Sequence, residues 1–159
     1  MLTITILAVG KLKDEWLHAA VNEYQKRAGA YFKLKIEETP QAKLPQNPSD
    51  ALIATALERE AGEVLKRIPS RAWVAALCIE GEPISSAGLA GKIEQISAET
   101  SHAVFIIGSS YGLADSVKKA ARVKISMSTM TFSHRLARVM LCEQLYRAGS
   151  ILAGGKYHK

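Results

Sequence analysis

His102-Ala103-Val104-Phe105-Ile106-Ile107-Gly108-Ser109-Ser110-Tyr111-Gly112-Leu113 decides how this chain is read. Five apolar residues follow His102 without alternation and stop at a glycine-bounded turn. A strand with one wet face alternates, so an unbroken apolar run is a strand covered on both faces, as in parallel sheets. Ala72 to Ile79 is a second such run, and Leu2 to Val9, ending at Gly10, is a third. Tyr31 to Glu38 and the short Val123 to Met127 complete a set of five predicted strands.

Helices are expected in between. After Asp14, the residues Trp16, Leu17, Ala20, Val21, Tyr24 and Ala28 recur at helical spacing up to Gly29. Ser49 or Asp50 caps a longer helix. It places Leu52, Ile53, Ala56, Leu57, Ala61, Val64, Leu65 and Ile68 on one face and Glu58, Arg59, Glu60, Lys66 and Arg67 on the other. Ser85 caps a helix through Leu89, Ile93 and Ile96, Leu113 to Ala121 is a short one, and Ser133 to about Leu152 closes the chain. Pro40, Pro45 and Pro48 make 39–48 an exposed loop, because proline cannot donate to a ladder. Strand and helix alternate throughout. The expected fold is α/β, an open, mainly parallel sheet with helices on both faces and right-handed crossovers, built as one domain over residues 1–159.

The 159 residues are 48% hydrophobic and 23% charged, which excludes a disordered or low-complexity chain. No apolar run reaches the roughly 20 residues of a membrane span, and MLTITILAVGKLK lacks the basic start and small-residue cleavage site of a signal peptide. A cytoplasmic protein is expected. Cys78 and Cys142 have no CxxC or Cys/His spacing, the four histidines (His18, His102, His134 and His158) have no ligand spacing, and no metal site is expected. Net charge is +6, but Lys118 to Lys159 holds nine basic residues against the single acid Glu143, leaving −2 for the rest. A one-sided positive field suits a polyanion, since each neutralised phosphate releases counterions; a merely solvated basic surface has the same composition.

Ligands of open α/β sheets sit beyond the carboxyl ends of the strands. Three loops there stand out. Glu80-Gly81-Glu82-Pro83 follows the strand containing Leu77; Gly108 to Gly112 follows the central strand; Met127-Ser128-Thr129-Met130-Thr131-Phe132 precedes the closing helix. The glycine loop fits neither a Walker A nor a Rossmann fingerprint, and a tight turn accounts for it as well as a ligand loop does. The Met and Phe loop suits a flat apolar ligand, or plain packing. Templates with GxSxG, HExxH or paired Cys and His are absent. His134 and Arg138 share a face of the closing helix, as do Glu143 and Arg147, a pair that reads as a salt bridge. Tyr157-His158-Lys159 ends the chain with a ring, an imidazole and an ammonium, groups that stack on bases and grip phosphates.

Taken together, Ile6 to Lys13, Ile107 to Leu113, Met130-Thr131-Phe132, His134-x-x-x-Arg138, Glu143 to Ala148 and Tyr157-His158-Lys159 resemble the ribosomal RNA large subunit methyltransferase H family of the SPOUT superfamily, over the whole chain. The resemblance implies S-adenosylmethionine-dependent methylation of N3 of pseudouridine 1915 of 23S rRNA in the assembled ribosome, a C-terminal trefoil knot and a homodimer. It implies cofactor contacts at Leu77, Gly108, Met127, Ser128, Thr129, Met130, Thr131 and Phe132. On the target side it implies Tyr157 as a stacking platform, His158 as a base and Arg138 as a partner for charge on a uracil oxygen. Ser109 stands where the family commonly has a second glycine, and would be strained if that glycine needs positive φ. Two other readings keep the same fold: methylation of a ribose or of a transfer RNA base, and RNA binding without catalysis.

Overall fold

The computed structural model describes every residue from Met1 to Lys159. Its elements are β1 (Thr3–Val9), α1 (Glu15–Ala28), β2 (Lys33–Thr39), α2 (Asp50–Leu65), β3 (Trp73–Pro83), α3 (Ser86–Glu99), β4 (His102–Ile107), α4 (Asp115–Ala120), β5 (Val123–Ser126) and α5 (His134–Leu152). The five strands form one parallel sheet in the order β2-β1-β4-β3-β5. The unalternating runs lie where that reading placed them, with β1 and β4 in the interior and Ile4, Ile6, Leu7, Phe105 and Ile106 all but inaccessible. No helix is long and apolar enough to cross a membrane.

Two apolar layers cover the sheet. Leu17, Val21 and Ala28 of α1, Leu89, Ile93 and Ile96 of α3, and Leu141, Cys142, Leu145 and Ala148 of α5 pack on one face with Ile4, Ile6, Trp73 and Phe105. Ala61 and Val64 of α2 and Val117 of α4 pack on the other with Leu7, Val9, Val74 and Ile106. Side chains alternate across each strand, so Ile6 and Leu7 serve opposite layers. Ser49, Ser85 and Ser133 cap α2, α3 and α5, each accepting a backbone N–H three residues on.

Four expectations need correction. Trp16 is 68% exposed, since it precedes the α1 stripe rather than joining it. Asp14 sits at the N-cap of α1 without capping it and faces Arg135 at 3.5 Å instead. Glu80 to Pro83 is not a loop: β3 runs on to Pro83, interrupted by a bulge in which both Leu77 and Glu82 pair with Ile125. Glu60, assigned to the polar face of α2, is only 5% exposed, while Leu52, assigned to the apolar face, is 48% exposed.

Candidate functional site

The adjacent strands β4, β3 and β5 end side by side, and the segments leaving them enclose a cavity of about 600 Å³. Ligand pockets commonly fall in this size range. Leu77, Gly108, Met127, Ser128, Met130, Thr131 and Phe132, all expected cofactor contacts, line it; Thr129 does not. Cys78, Ile79, Glu80, Tyr111, Lys118 and His134, which sequence reasoning did not assign to a cofactor, line it as well. They arrive through the β3 bulge, the tip of the glycine loop, α4 and the first turn of α5.

Glycine is required twice in the floor. A Cβ on Gly108 meets the carbonyl of Gly112, and Gly112 itself has φ +84°. The turn closes through Gly112 N–H donating to Ser109 O at 2.9 Å. Ser109 is free of the strain that positive φ imposes, because the only non-glycine residue at positive φ is Arg71. Its buried hydroxyl instead donates to Glu60 Oε1 at 3.1 Å. The far wall is braced by Ser126 Oγ donating to Ser128 O at 2.9 Å and Met130 N–H donating to Ser128 Oγ at 3.0 Å.

Two titratable groups of the cavity wall are held uncharged by their surroundings. Burial, and then the Glu80 carboxylate, push the Cys78 thiol up. Burial, followed by Arg135 and Arg138, holds His134 below its ordinary value and therefore neutral near pH 7. Lys118 is tied to Glu80 at 2.5 Å.

A second cavity of about 680 Å³ lies between α3, α5 and the C-terminal tail, and shares Leu77, Ile125 and Met127 with the first. Tyr157 lines it, donating to Glu143 Oε1 at 2.9 Å and lying against Tyr146 with ring centroids 4.5 Å apart. Burial and the Glu143 hydrogen bond push the Tyr157 phenol up to about 12, so it remains a donor. Arg147 pairs with Glu143 at 2.5 Å, as the i, i+4 spacing predicts, stacks over Tyr157 at 4.7 Å and donates to His158 Nδ1 at 3.2 Å. A guanidinium only donates, so His158 Nδ1 is the acceptor in that contact.

Arg138 is not with them. It is 3% exposed, donating from Nη1 to Glu38 Oε2 at 2.6 Å and from Nη2 to Gly10 O at 3.1 Å, while Leu12 N–H donates to the same Glu38 oxygen at 2.8 Å. Burial raises the Glu38 carboxyl, but the Arg138 and Leu12 hydrogen bonds and the Arg138 charge outweigh it and the net direction is down. Arg138 thus fastens α5 to the carboxyl ends of β1 and β2, and its buried guanidinium has no surface to offer a nucleotide.

The charge asymmetry of the chain is also smaller in space than in sequence. Of the nine basic residues from Lys118 on, five are paired: Lys118, Arg122, Arg135, Arg138 and Arg147 face Glu80, Glu99, Asp14, Glu38 and Glu143. Lys119, Lys124, Lys156 and Lys159 have no carboxylate partner and carry the local excess.

Two solved structures share this arrangement. A methylase-family protein of Haemophilus influenzae Rd KW20 superposes with a TM-score of 0.58 at 14% identity, over 100% of this chain and 72% of the other. A methyltransferase-like protein of Bordetella pertussis Tohama I gives 0.59 at 13% identity, over 93% and 95%. At such identities the likeness is one of fold. A sequence profile described as "Predicted SPOUT methyltransferase" matches residues 2–158, and the chain belongs to that family. Among curated relatives, a protein of Methanococcus maripaludis strain C5, provisionally named ribosomal RNA large subunit methyltransferase H, is 43% identical over 99% of this chain and 100% of its own length.

Proposed function

We propose that this chain methylates N3 of pseudouridine 1915 in 23S rRNA, on the assembled ribosome in the cytoplasm, using S-adenosylmethionine. One observation carries the reading: seven of the eight residues to which the family resemblance assigns cofactor contacts line one cavity. The cavity fits the group, with glycines where a Cβ would fill the floor, apolar walls from Leu77, Met127 and Phe132, and a neutral His134. S-adenosylmethionine, when bound, supplies an electrophilic methyl on a sulfonium.

The chain's own residues then have three tasks. Leu77, Met127 and Phe132 would hold the group and exclude water around its weakly hydrated cation, with Met130 at the exposed rim. Tyr157, braced by Glu143 and Tyr146, offers a platform for the target base beside the shared wall. His158 takes the N3 proton once it exchanges its Arg147 contact for the base. Arg138 acts through the placement of α5.

The same reading includes a single domain over residues 1–159, a homodimer, and a trefoil knot at the C-terminal end. A Cβ added at Gly81 would fall 2.7 Å from Ser126 N and 2.8 Å from Ile125 N, so β5 lies tightly against the bulge of β3. Labelled methyl from S-adenosylmethionine is offered to ribosomes lacking the modification, to free rRNA, and to ribosomes whose target uridine was never isomerised. Label confined to pseudouridine in assembled ribosomes is expected; no transfer to any of them, despite ribosome binding, refutes the reading. A pH–rate profile unchanged in His158→Ala removes the base.

A further inference from the structure

We infer that Glu60, outside the cavity, is the positioning residue of the cofactor floor and acts through Ser109. Glu60 lies on α2 and reaches the glycine loop from beneath. It is 5% exposed and Ser109 is 6% exposed, so the bond between them is shielded from water. Glu60 Oε1 accepts from the Ser109 hydroxyl at 3.1 Å and Oε2 accepts from Ala42 N–H at 2.9 Å. Both carboxylate oxygens are thus committed, one to the loop after β4 and one to the loop after β2.

The geometry explains why that link matters at this position. Gly108 and Gly112 fit the turn because they lack side chains, and the same lack leaves the floor without packing of its own. Ser109 is the one buried side chain between them, and its only hydrogen-bond partner is Glu60. Without the bond the turn keeps its internal contact from Gly112 N–H to Ser109 O and its buried flanks at Ile107 and Leu113, but loses the one side-chain tether between them. A ligand seated on the floor must then order it on binding, which lowers affinity without touching the transfer step.

A solvent-exposed serine–glutamate link between α2 and α4 provides the control. Ser116 on α4 donates to Glu58 Oε2 at 3.1 Å, joining α2 to α4 away from the cavity. This inference rests on the cavity taking S-adenosylmethionine, so the test reads binding of S-adenosylhomocysteine by calorimetry, which needs no RNA. Ser109→Ala is expected to weaken binding roughly three- to tenfold, within the net range of one intramolecular hydrogen bond. Glu60→Gln is expected to weaken it similarly, and the double variant no more than about twofold beyond the worse single. At saturating cofactor kcat stays near wild type, and Ser116→Ala binds normally. Ser109→Ala binding as tightly as wild type, additive effects in the double variant, or an equal loss in Ser116→Ala overturns the positioning role. Wild-type protein that binds no S-adenosylhomocysteine at all overturns instead the reading of the cavity, and the positioning role with it.

Discussion

Removing Glu38 destabilises this protein more than removing Arg138, although the two are partners. The Arg138 side chain is 4% exposed and that of Glu38 is 38% exposed. Glu38→Ala leaves a guanidinium that cannot lose its proton, buried, with Gly10 O as its one remaining partner. Breaking a fully buried pair in this way costs about 3–5 kcal/mol; the half-exposed carboxylate side lets some water in, so about 2–4 kcal/mol is expected. Arg138→Met leaves instead a carboxylate that can rehydrate and that keeps the Leu12 N–H, fills the space with an apolar stem, and relieves an Nε buried without a partner. Its cost, mainly the bond to Gly10 O, is about 1–2 kcal/mol. Urea unfolding at a fixed protein concentration reads the difference. With a slope of about 2 kcal/mol/M, the midpoint falls by roughly 1–2 M for Glu38→Ala and by less than about 1 M for Arg138→Met. The double variant should match Arg138→Met alone, because no orphaned cation remains. Because the folded Glu38 pKa is lowered, the pair's contribution is present above the ordinary carboxyl value and is lost as pH falls through the folded one. Arg138→Met proving the more damaging substitution, or the two costs adding in the double variant, refutes the anchoring role; an Arg138→Met protein of undiminished stability and no activity returns Arg138 to the chemistry.

Gly81→Ala drives a Cβ into the backbone of Ile125 and Ser126, which cannot rotate away, and should cost about 1–3 kcal/mol in thermal or urea unfolding, whereas Gly91→Ala, in open space on α3, should gain about 0.5–1 kcal/mol. Equal stability of the two variants refutes the close packing of β5 on Gly81. His134 has a lowered folded pKa, so its share of stability is complete above about pH 6.5 and declines as pH falls through the folded value. Its proton also places positive charge in the cavity wall. S-adenosylmethionine should therefore lose affinity between pH 7.5 and 5.5 more steeply than S-adenosylhomocysteine, and His134→Gln should remove the gap; an affinity ratio independent of pH in the wild type defeats this.

Much of the fold was legible because burial on both faces writes itself into sequence as unalternating runs such as Val104 to Ile107. The strand order was not, since pairing partners such as Ala76 with Ile106 are brought together by crossovers that leave no local mark. The cavity at the ends of β3, β4 and β5 was likewise legible, from the segments that leave those strands. What escaped are the acids beneath it. Glu60 follows Ala56 and precedes Val64 by one helical turn each, a stripe position that announced its burial, but a charged residue in a mixed helix reads first as solvated. Glu38 gave no such sign, because its partner is 100 residues away. Similar long-range pairing hid four of the nine cations that made the C-terminal third look uniformly basic.

Leu77, Ile125 and Met127 belong to both cavities, so a single layer of side chains separates them. Met127 cannot shift toward one cavity without reshaping the wall of the other. For two ligands seated as proposed, one in each cavity, linkage would make the effect reciprocal: by whatever factor the first tightens the grip on the second, the second would tighten the grip on the first. Such coupling would run through three side chains rather than through a hinge.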